Sequence, residues 1–165
     1  MPASNYYLEH WMDEIHLHGV KKTVVSTQTK YQKIDIVDTQ NYGRCLFLDE
    51  RMQSSEKDSF IYHEALVHPP LLLHPDPKKV MIVGGGEGET LRDILKHKSV
   101  KQAVMVDIDK ELVDFCRKEL PEWAGKAFTD KRSKVLYMDA RTYLEKTKEK
   151  YDVTIIDLTE PLEHA

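Results

Sequence analysis

The sequence predicts an α/β protein, in which a small antiparallel β module is followed by a parallel sheet with helices. Three observations support this fold class. Residues 1–55 contain short β-branched segments separated by turns, and strand and helix patterns alternate from residue 80 onward. At the start of that alternation, residues 79–90 read KVMIVGGGEGET, which is typical of a buried strand that runs into a glycine loop and then a helix.

Residues 1–55 are predicted to form the first domain, the antiparallel β module. Three strands are expected, at residues 22–26, 32–37 and 44–48. Ile34 alternates with Ile36 in the second of them, and a turn at residues 41–43 precedes the third. A module of this size has little interior, so we expect it to pack against a second copy, which predicts a homodimer or homotetramer.

Residues 56–165 are predicted to form the second domain, which begins with a helix. Ser54 or Ser55 is expected to cap this helix, at residues 56–67, and Pro69 with Pro70 to end it. The following strands are expected at residues 80–83, 103–106, 134–138 and 153–156, and the helices at residues 89–97, 110–120 and 141–148. These elements make only the first half of a doubly wound sheet, so the fourth strand would be an exposed edge and we expect a truncated chain.

A glycine loop follows the first strand of the second domain, at Gly84, Gly85 and Gly86. Glycines let the main chain turn tightly, and the start of the next helix offers unpaired N–H groups to a ligand. Asp107 ends the second strand, about twenty residues later, which is the spacing at which an acid reaches the ribose hydroxyls of a nucleoside. The loop and the acid therefore predict a nucleoside site. The alternative is a tight turn followed by an ordinary helix-capping Asp.

Five acidic residues lie at or just beyond the predicted strand ends: Glu87, Asp107, Asp139, Asp157 and Glu160. Ligands of parallel sheets bind at this carboxyl edge. Each acid taken singly could instead be a helix N-terminal residue favoured by the helix dipole. Their joint placement predicts an acidic pocket, which suits a ligand with ammonium or sulfonium charge and would repel phosphates.

The composition argues against several other classes of protein. The 165 residues carry a net charge of −4, and no Lys/Arg cluster with interleaved aromatics indicates a nucleic-acid surface. No apolar run could span a membrane, and we expect a cytoplasmic protein. Cys45 and Cys116 are expected to be packed thiols, and His16 and His18 to face solvent, so no metal site is predicted.

Six motifs of the chain resemble those of the polyamine aminopropyltransferases, the spermidine synthase family. In chain order they are residues 53–58 (QSSEKD), 62–64 (YHE), 84–88 (GGGEG), 106–109 (VDID), 139–141 (DAR) and 157–161 (DLTEP). The resemblance covers nearly the whole chain and implies the first half of a Rossmann-like, methyltransferase-type sheet. It also implies transfer of an aminopropyl group from decarboxylated S-adenosylmethionine, a co-substrate rather than a cofactor, to a diamine or polyamine, with release of methylthioadenosine.

The resemblance implies contacts to the aminopropyl donor along the whole chain. The donor would be bound by Gln32 and His63 at its aminopropyl part, by Gly84, Gly85 and Gly86 in the loop, by Glu87 at its ammonium, by Asp107 at its ribose, and by Asp139 with Ala140 at its adenine. Glu87 stands where the family usually has Asp. An acid at this place would oppose the carboxylate of ordinary S-adenosylmethionine, which the decarboxylated donor lacks.

On the acceptor side the resemblance implies three residues. Tyr62 would line the acceptor channel, Asp157 would accept the proton of the attacking amine, and Glu160 would bind another acceptor amine. Glu160 again replaces the usual Asp, and Leu158 is larger than the residue common in spermidine synthases, which leaves putrescine, agmatine and longer polyamines as candidate acceptors. A methyltransferase that uses S-adenosylmethionine and an inactive binding or assembly fragment remain alternatives.

Overall fold

The computed structural model of the chain describes residues 5–11 and 13–159. The chain divides into two compact units, Met1–Phe60 and Ile61–Ala165. Within the described residues the first unit is built on strands, whereas strands and helices alternate in the second. Among all of the described residues, no helix is both long enough and apolar enough to cross a membrane.

The first unit contains a five-stranded antiparallel sheet with its strands in chain order. The strands are β1 (Tyr6–Trp11), β2 (Glu14–Gln28), β3 (Lys33–Thr39), β4 (Gly43–Leu48) and β5 (Arg51–Ser55). The predicted strands correspond to β2, β3 and β4, while β1 and β5 were not predicted. The long β2 pairs with β1 through its first part and with β3 through its second, and the β2–β3 register is irregular between Val20 and Lys22 and between Thr23 and Val25. Buried Val37, Cys45 and Phe47 form a small core.

Side-chain predictions for this unit were partly wrong. His16 is exposed, as expected, and contacts Glu14 at 3.1 Å. His18, which was expected to face solvent, is nearly buried, with its Nε2 2.6 Å from the buried carboxylate of Glu9. The β1–β2 register places Glu9 opposite His16, so that His18 reaches Glu9 along the diagonal. The described residues contain no group of three or more potential ligands that could hold a metal ion.

The helix α1 (Ser59–Leu73) differs from its prediction at both ends. Ser54 and Ser55 do not cap it, because they lie in β5, where the Ser55 hydroxyl donates to Asp58 at 2.6 Å. Pro69 and Pro70 do not end it but lie inside it. A proline inside a helix removes an N–H donor, and its ring crowds the carbonyl group four residues earlier, so these two residues weaken α1 without ending it.

The second unit contains a four-stranded parallel sheet, as predicted. Its strands are β6 (Lys79–Gly84), β7 (Gln102–Asp107), β8 (Ser133–Tyr137) and β9 (Val153–Asp157). Its further helices are α2 (Glu89–Lys96), α3 (Lys110–Glu119), the short α4 (Pro121–Ala124) and α5 (Ala140–Lys146), with a 3₁₀ turn at Ala127–Thr129. The free thiol of Cys116 is buried on α3 and that of Cys45 on β4, which confirms that both are packed thiols.

The strand order β8-β7-β6-β9 determines where a ligand can bind. Successive strands move outward from β6 to β7 and β8, and β9 then returns to the other side of β6. Such a reversal opens a crevice at the carboxyl ends of the two strands that flank it. Gly84 pairs with Asp157 at that position, and β9 pairs only with β6 among the described strands.

Candidate active site

The glycine loop after β6 is attached to the end of β9. Gly84 and Gly85 have positive φ angles of 81° and 75°, which glycine adopts without strain. The Gly85 N–H donates to the carbonyl oxygen of Asp157 at 2.9 Å. A Cβ on Gly84 would overlap that same oxygen. The sequence therefore needs glycine here because the loop and the end of β9 approach each other closely.

Gly86 lets the main chain approach Asp107. A Cβ at Gly86 would lie 2.9 Å from Asp107 Oδ2, whose residue ends β7 and is buried. Burial and the nearby carboxylates of Asp109 and Asp157 raise the pKa of Asp107 to about 6, although backbone N–H groups oppose the shift. Burial therefore disfavours the ionised form of Asp107, and hydroxyl groups of a ligand that donate to the carboxylate could stabilise it.

Helix capping beside this site is done by Asp109. Its carboxylate accepts from the Leu112 N–H at 3.1 Å at the start of α3. Asp107 instead accepts from the Asp109 N–H at 2.8 Å through Oδ1. Asp107 and Asp109 therefore have different structural roles, and the helix-capping alternative applies to Asp109 and not to Asp107.

His63 on α1 is fully buried between two carboxylates. Its Nε2 lies 2.6 Å from Glu87 Oε1, and its Nδ1 lies 3.2 Å from Glu89 Oε2. Burial alone would lower the pKa of His63, but hydrogen bonds and charge from Glu87 and Glu89 outweigh it and raise the pKa to about 10. His63 is therefore an imidazolium at neutral pH and holds Glu87 beside the glycine loop.

Glu89 was missed by the sequence analysis, although it is as buried as His63. It also contacts Arg92 at 3.2 Å, one turn along α2. The i, i+3 spacing of Glu89 and Arg92 could have predicted this ion pair from the sequence. The contact between Glu89 and His63 could not have been predicted in this way, because Glu89 lies on α2 and His63 on α1.

Asp157 receives a hydroxyl on each carboxylate oxygen. Thr90 Oγ1 donates to Oδ2 at 2.5 Å, and Tyr62 Oη donates to Oδ1 at 3.2 Å. Thr90 was not predicted, whereas Tyr62 and Asp157 were predicted together on the acceptor side. The two hydroxyls fix the orientation of the carboxylate at the end of β9.

The remaining predicted residues are placed as follows. Asp139 is exposed after β8 and caps α5 by accepting from the Thr142 N–H at 2.7 Å, with Ala140 as the first helical residue. Asp139 therefore has the helix N-terminal position that was the alternative interpretation of each acid, and its role with Ala140 at the adenine stays a prediction. Gln32 belongs to the first unit, so its role also stays a prediction. Glu160 lies outside the described residues.

The second unit thus brings Tyr62, His63, Glu87, Asp107 and Asp157 to one edge of the parallel sheet, around one glycine loop. Carboxylates dominate this edge, and His63 neutralises part of their charge. Such an arrangement can accept hydrogen bonds from hydroxyls and ammonium groups, and a carboxylate there can take up a proton.

Comparison with protein families assigns both parts of the chain. Residues 59–165 match a family model described as the spermine/spermidine synthase domain. Residues 11–56 match one described as the spermidine synthase tetramerisation domain.

Curated relatives give a consistent result. A polyamine aminopropyltransferase of Sulfurisphaera tokodaii is 46% identical over 90% of this chain and 50% of its own length. One of Clostridium tetani is 47% identical over 90% of this chain and 53% of its own length. The chain therefore spans about half the length of the curated relatives it matches.

Solved structures are similar as well. The crystal structure of spermidine synthase from Thermotoga maritima matches with a TM-score of 0.92 and 36% identity, over 98% of this chain and 56% of that one. A spermidine synthase in complex with the transition-state analogue AdoDATO matches with a TM-score of 0.89 and 37% identity, over 93% of this chain and 54% of that one.

Proposed function

Because the chain belongs to the spermine/spermidine synthase family, we propose that it carries the donor site and the proton acceptor of a polyamine aminopropyltransferase. The reaction moves an aminopropyl group from decarboxylated S-adenosylmethionine to a diamine or polyamine and releases methylthioadenosine. The observation that carries the proposal is the joint placement of Glu87, Asp107 and Asp157 around one glycine loop.

Asp107 and Glu87 are proposed to bind the two ends of the donor. The ribose hydroxyls would donate to Asp107, where they replace the hydration that burial removes. The primary ammonium would donate to Glu87, which His63 already holds from the other side. Gln32 is proposed to join His63 at the aminopropyl part, and Asp139 with Ala140 to contact the adenine.

Glu87 also gives a physical basis for choosing the decarboxylated donor. Ordinary S-adenosylmethionine carries a carboxylate on the carbon that bears its ammonium. That carboxylate would come close to Glu87, and two like charges at short range repel each other. The decarboxylated donor has no such group, so it keeps the attraction without the repulsion.

Asp157 is proposed to accept the proton of the attacking amine. Free amines have a pKa near that of Lys, about 10.4, so at neutral pH nearly all are protonated and cannot attack. Asp157 first takes one proton from the ammonium group, which frees the nitrogen lone pair. The lone pair then forms a bond to the methylene carbon next to the sulfonium, and the C–S bond breaks with its electrons on sulfur. The positive charge passes to the new secondary amine. Tyr62 and Thr90 orient the carboxylate for the proton transfer.

The acceptor is proposed to be a diamine or polyamine, such as putrescine, agmatine or a longer polyamine, bound through Tyr62, Asp157 and Glu160. We place the enzyme in the cytoplasm. The first unit, which matches the tetramerisation domain, is proposed to assemble the chain into a homodimer or homotetramer.

Ligand titration by calorimetry tests the donor proposal. Methylthioadenosine should bind, and decarboxylated S-adenosylmethionine should bind more tightly than ordinary S-adenosylmethionine. Glu87→Gln should weaken the decarboxylated ligand by about 1.5–3 kcal/mol, the range for hydrogen bonds to charged groups, and leave methylthioadenosine nearly unchanged.

Glu64→Gln is the matched control, because Glu64 adjoins His63 in sequence but is exposed. It should change neither affinity. Preference for ordinary S-adenosylmethionine would indicate a methyltransferase instead, and failure to bind any of the three ligands would indicate an inactive binding or assembly fragment.

A further inference from the structure

Six charged side chains form one alternating row from the glycine loop along α2. In order of contact they are Glu87, His63, Glu89, Arg92, Asp93 and Lys96. Three carboxylates alternate with three cations, so the row is neutral when His63 is protonated. The end of the row at Glu87 is the end that the proposed function assigns to a ligand.

The geometry of His63 requires a particular protonation state. A neutral imidazole has one N–H, so it can donate to one carboxylate only, and its other nitrogen would direct a lone pair at the second. His63 has a carboxylate at each nitrogen, Glu87 at 2.6 Å and Glu89 at 3.2 Å. Both contacts are attractive only when both nitrogens carry a proton.

The burial of Glu89 is not explained by its position at the start of a helix. An acid in the first turn of a helix is stabilised by the dipole even when it is exposed. Glu89 keeps only 2% of its side chain exposed, and burial of a carboxylate is costly unless cations contact it. His63 and Arg92 are those cations, and both contact the Oε2 atom of Glu89. The ring of Tyr62, a further titratable group on His63's own helix, lies edge-on against His63.

We propose that Glu89 is a positioning residue, which holds His63 as an imidazolium so that its Nε2–H fixes the Glu87 carboxylate for the ammonium of the donor. This inference rests on the proposed function, in which Glu87 receives that ammonium. Glu89 itself touches no ligand. It acts through His63, and it also cancels the positive charge that His63 would otherwise place beside a cationic ligand.

The direct test follows the His63 ring by NMR in the ¹⁵N-histidine-labelled chain, without any ligand, between about pH 6 and 11. In the parent protein His63 should stay doubly protonated through neutral pH, in line with its pKa of about 10. Glu89→Gln should lower the titration midpoint of His63 by at least about one pH unit, a tenfold loss of proton affinity. An unchanged midpoint would overturn the proposal.

Two further variants make this result specific. Asp93→Asn removes another buried acid from α2, one that contacts Arg92 and Lys96 but not His63, and should shift the midpoint much less. Glu89→Asp keeps the charge at a greater distance and should lower the midpoint by an intermediate amount. If Glu89→Gln does not fold, Glu89→Asp supplies the test, and an unshifted midpoint there would overturn the proposal.

Binding of decarboxylated S-adenosylmethionine tests the link to the donor. Below the His63 midpoint, Glu89→Gln leaves one excess positive charge in the row, so its affinity should be several-fold weaker than that of the parent. As the pH rises through the His63 midpoint that NMR gives for Glu89→Gln, the affinity of the variant should return toward that of the parent.

A damaged fold would give no such recovery, and a ratio of the two affinities that does not follow the His63 titration would contradict the proposal that Glu89 cancels the positive charge of His63 beside the ligand. If this ligand binds neither protein, the proposed function is wrong, while the ring titration still decides whether Glu89 holds His63 as an imidazolium.

Discussion

Asp107 ends β7 in a buried position that disfavours its charged form. Its pKa is raised from 3.8 to about 6, so the folded chain binds this proton more tightly than the unfolded chain does. The contribution of Asp107 to the free energy of unfolding therefore falls as the pH rises from 3.8 to about 6. A ligand that donates hydroxyls to the carboxylate has the opposite preference, because it binds the ionised form.

Methylthioadenosine binding is accordingly predicted to strengthen with pH. About one tenth of Asp107 is ionised at pH 5 and about nine tenths at pH 7, so the affinity should rise by about tenfold between them. Calorimetry at the two pH values, in buffers of different ionisation enthalpy, measures both the affinity and the released proton. Asp107→Asn should bind weakly and lose the dependence. Equal affinity at both values in the parent protein would rule out a contact between Asp107 and the ribose.

Asp157 is predicted to act in turnover rather than in nucleoside binding. Asp157→Asn should lower turnover by at least about a hundredfold, the lower limit for a general base, with little change in methylthioadenosine affinity. Thr90→Val removes one of the two hydroxyls that orient Asp157 and should have a smaller effect. Turnover is measured on the active enzyme with saturating donor, and turnover retained in Asp157→Asn would remove this residue from catalysis.

Residue types at the strand ends could be predicted from the sequence, whereas their partners could not. Glu87, Asp107 and Asp157 were identified because each follows a predicted strand, and parallel strands bring such residues to one edge. Glu89 and Thr90 were missed because their site contacts come from other elements. Sequence spacing reports neighbours within an element, and burial between elements depends on packing that spacing does not encode.

At the scale of elements, the start of α2 packs closely against the segment that includes α4. Gly88 has a φ of 90°, and a Cβ there would lie 2.6 Å from a ring carbon of Phe128 and 2.7 Å from Ala124 Cβ. Gly125 also has a positive φ, of 54°, but nothing lies within 4 Å of its Cβ position. Both glycines thus have a positive φ, which would strain an alanine, and they differ in how crowded the Cβ position is.

Gly88→Ala is predicted to lower the free energy of unfolding by more than Gly125→Ala does. Gly125→Ala should cost about 1 kcal/mol for the unfavourable backbone angle, and Gly88→Ala about 1–3 kcal/mol more for overpacking. Urea unfolding followed by circular dichroism measures both. Equal losses would mean that the segment carrying Phe128 moves aside without cost.

Elements with clear periodicity were predicted well, and those that depend on neighbours were not. The order of strands and helices from residue 80 onward agrees with the structure, since alternation of buried strands and amphipathic helices is a strong local signal. β1 and β5 were missed, because a half-exposed strand next to a turn shows little pattern. The end of α1 was wrong, because Pro69 and Pro70 continue a helix whose other turns are already formed.

At the scale of the whole molecule, the first unit has an apolar surface that its own strands do not cover. On one face of the β1–β2 pair, Tyr6, Leu8, Ile15 and Leu17 are all about half exposed or more. The other face carries Tyr7 and Glu9, which are turned toward the sheet. Exposed apolar patches are common at protein interfaces, and the match to a tetramerisation domain favours a second copy as the partner of this one.

Leu17→Lys is predicted to shift the protein toward monomers, because an unpaired charge in an apolar interface is costly. Multi-angle light scattering at micromolar concentration measures the mass. Leu144→Lys is the matched control, since Leu144 is a half-exposed leucine of the second unit. It should leave the mass unchanged. A parent protein that is already monomeric would refute assembly through this surface.

The fold class could be predicted at this scale, but the strand order could not. The sequence indicated four parallel strands without showing that β9 returns to the side of β6, because hydrophobic runs carry no record of which strand they join. The glycine loop gave an indirect sign of it, since a backbone that can bear no Cβ at Gly84 has another chain segment against it.

The return of β9 to β6 also affects the time course of folding. β9 is the last described strand, and pairing Gly84 with Asp157 closes a long loop of chain, which is a slow event compared with forming neighbouring helices. The Gly85 N–H finds its acceptor, the Asp157 carbonyl, only after that event. We therefore expect ligand-binding competence to appear late in folding, and we expect a nucleoside bound to the loop to slow hydrogen exchange at the amides of β9.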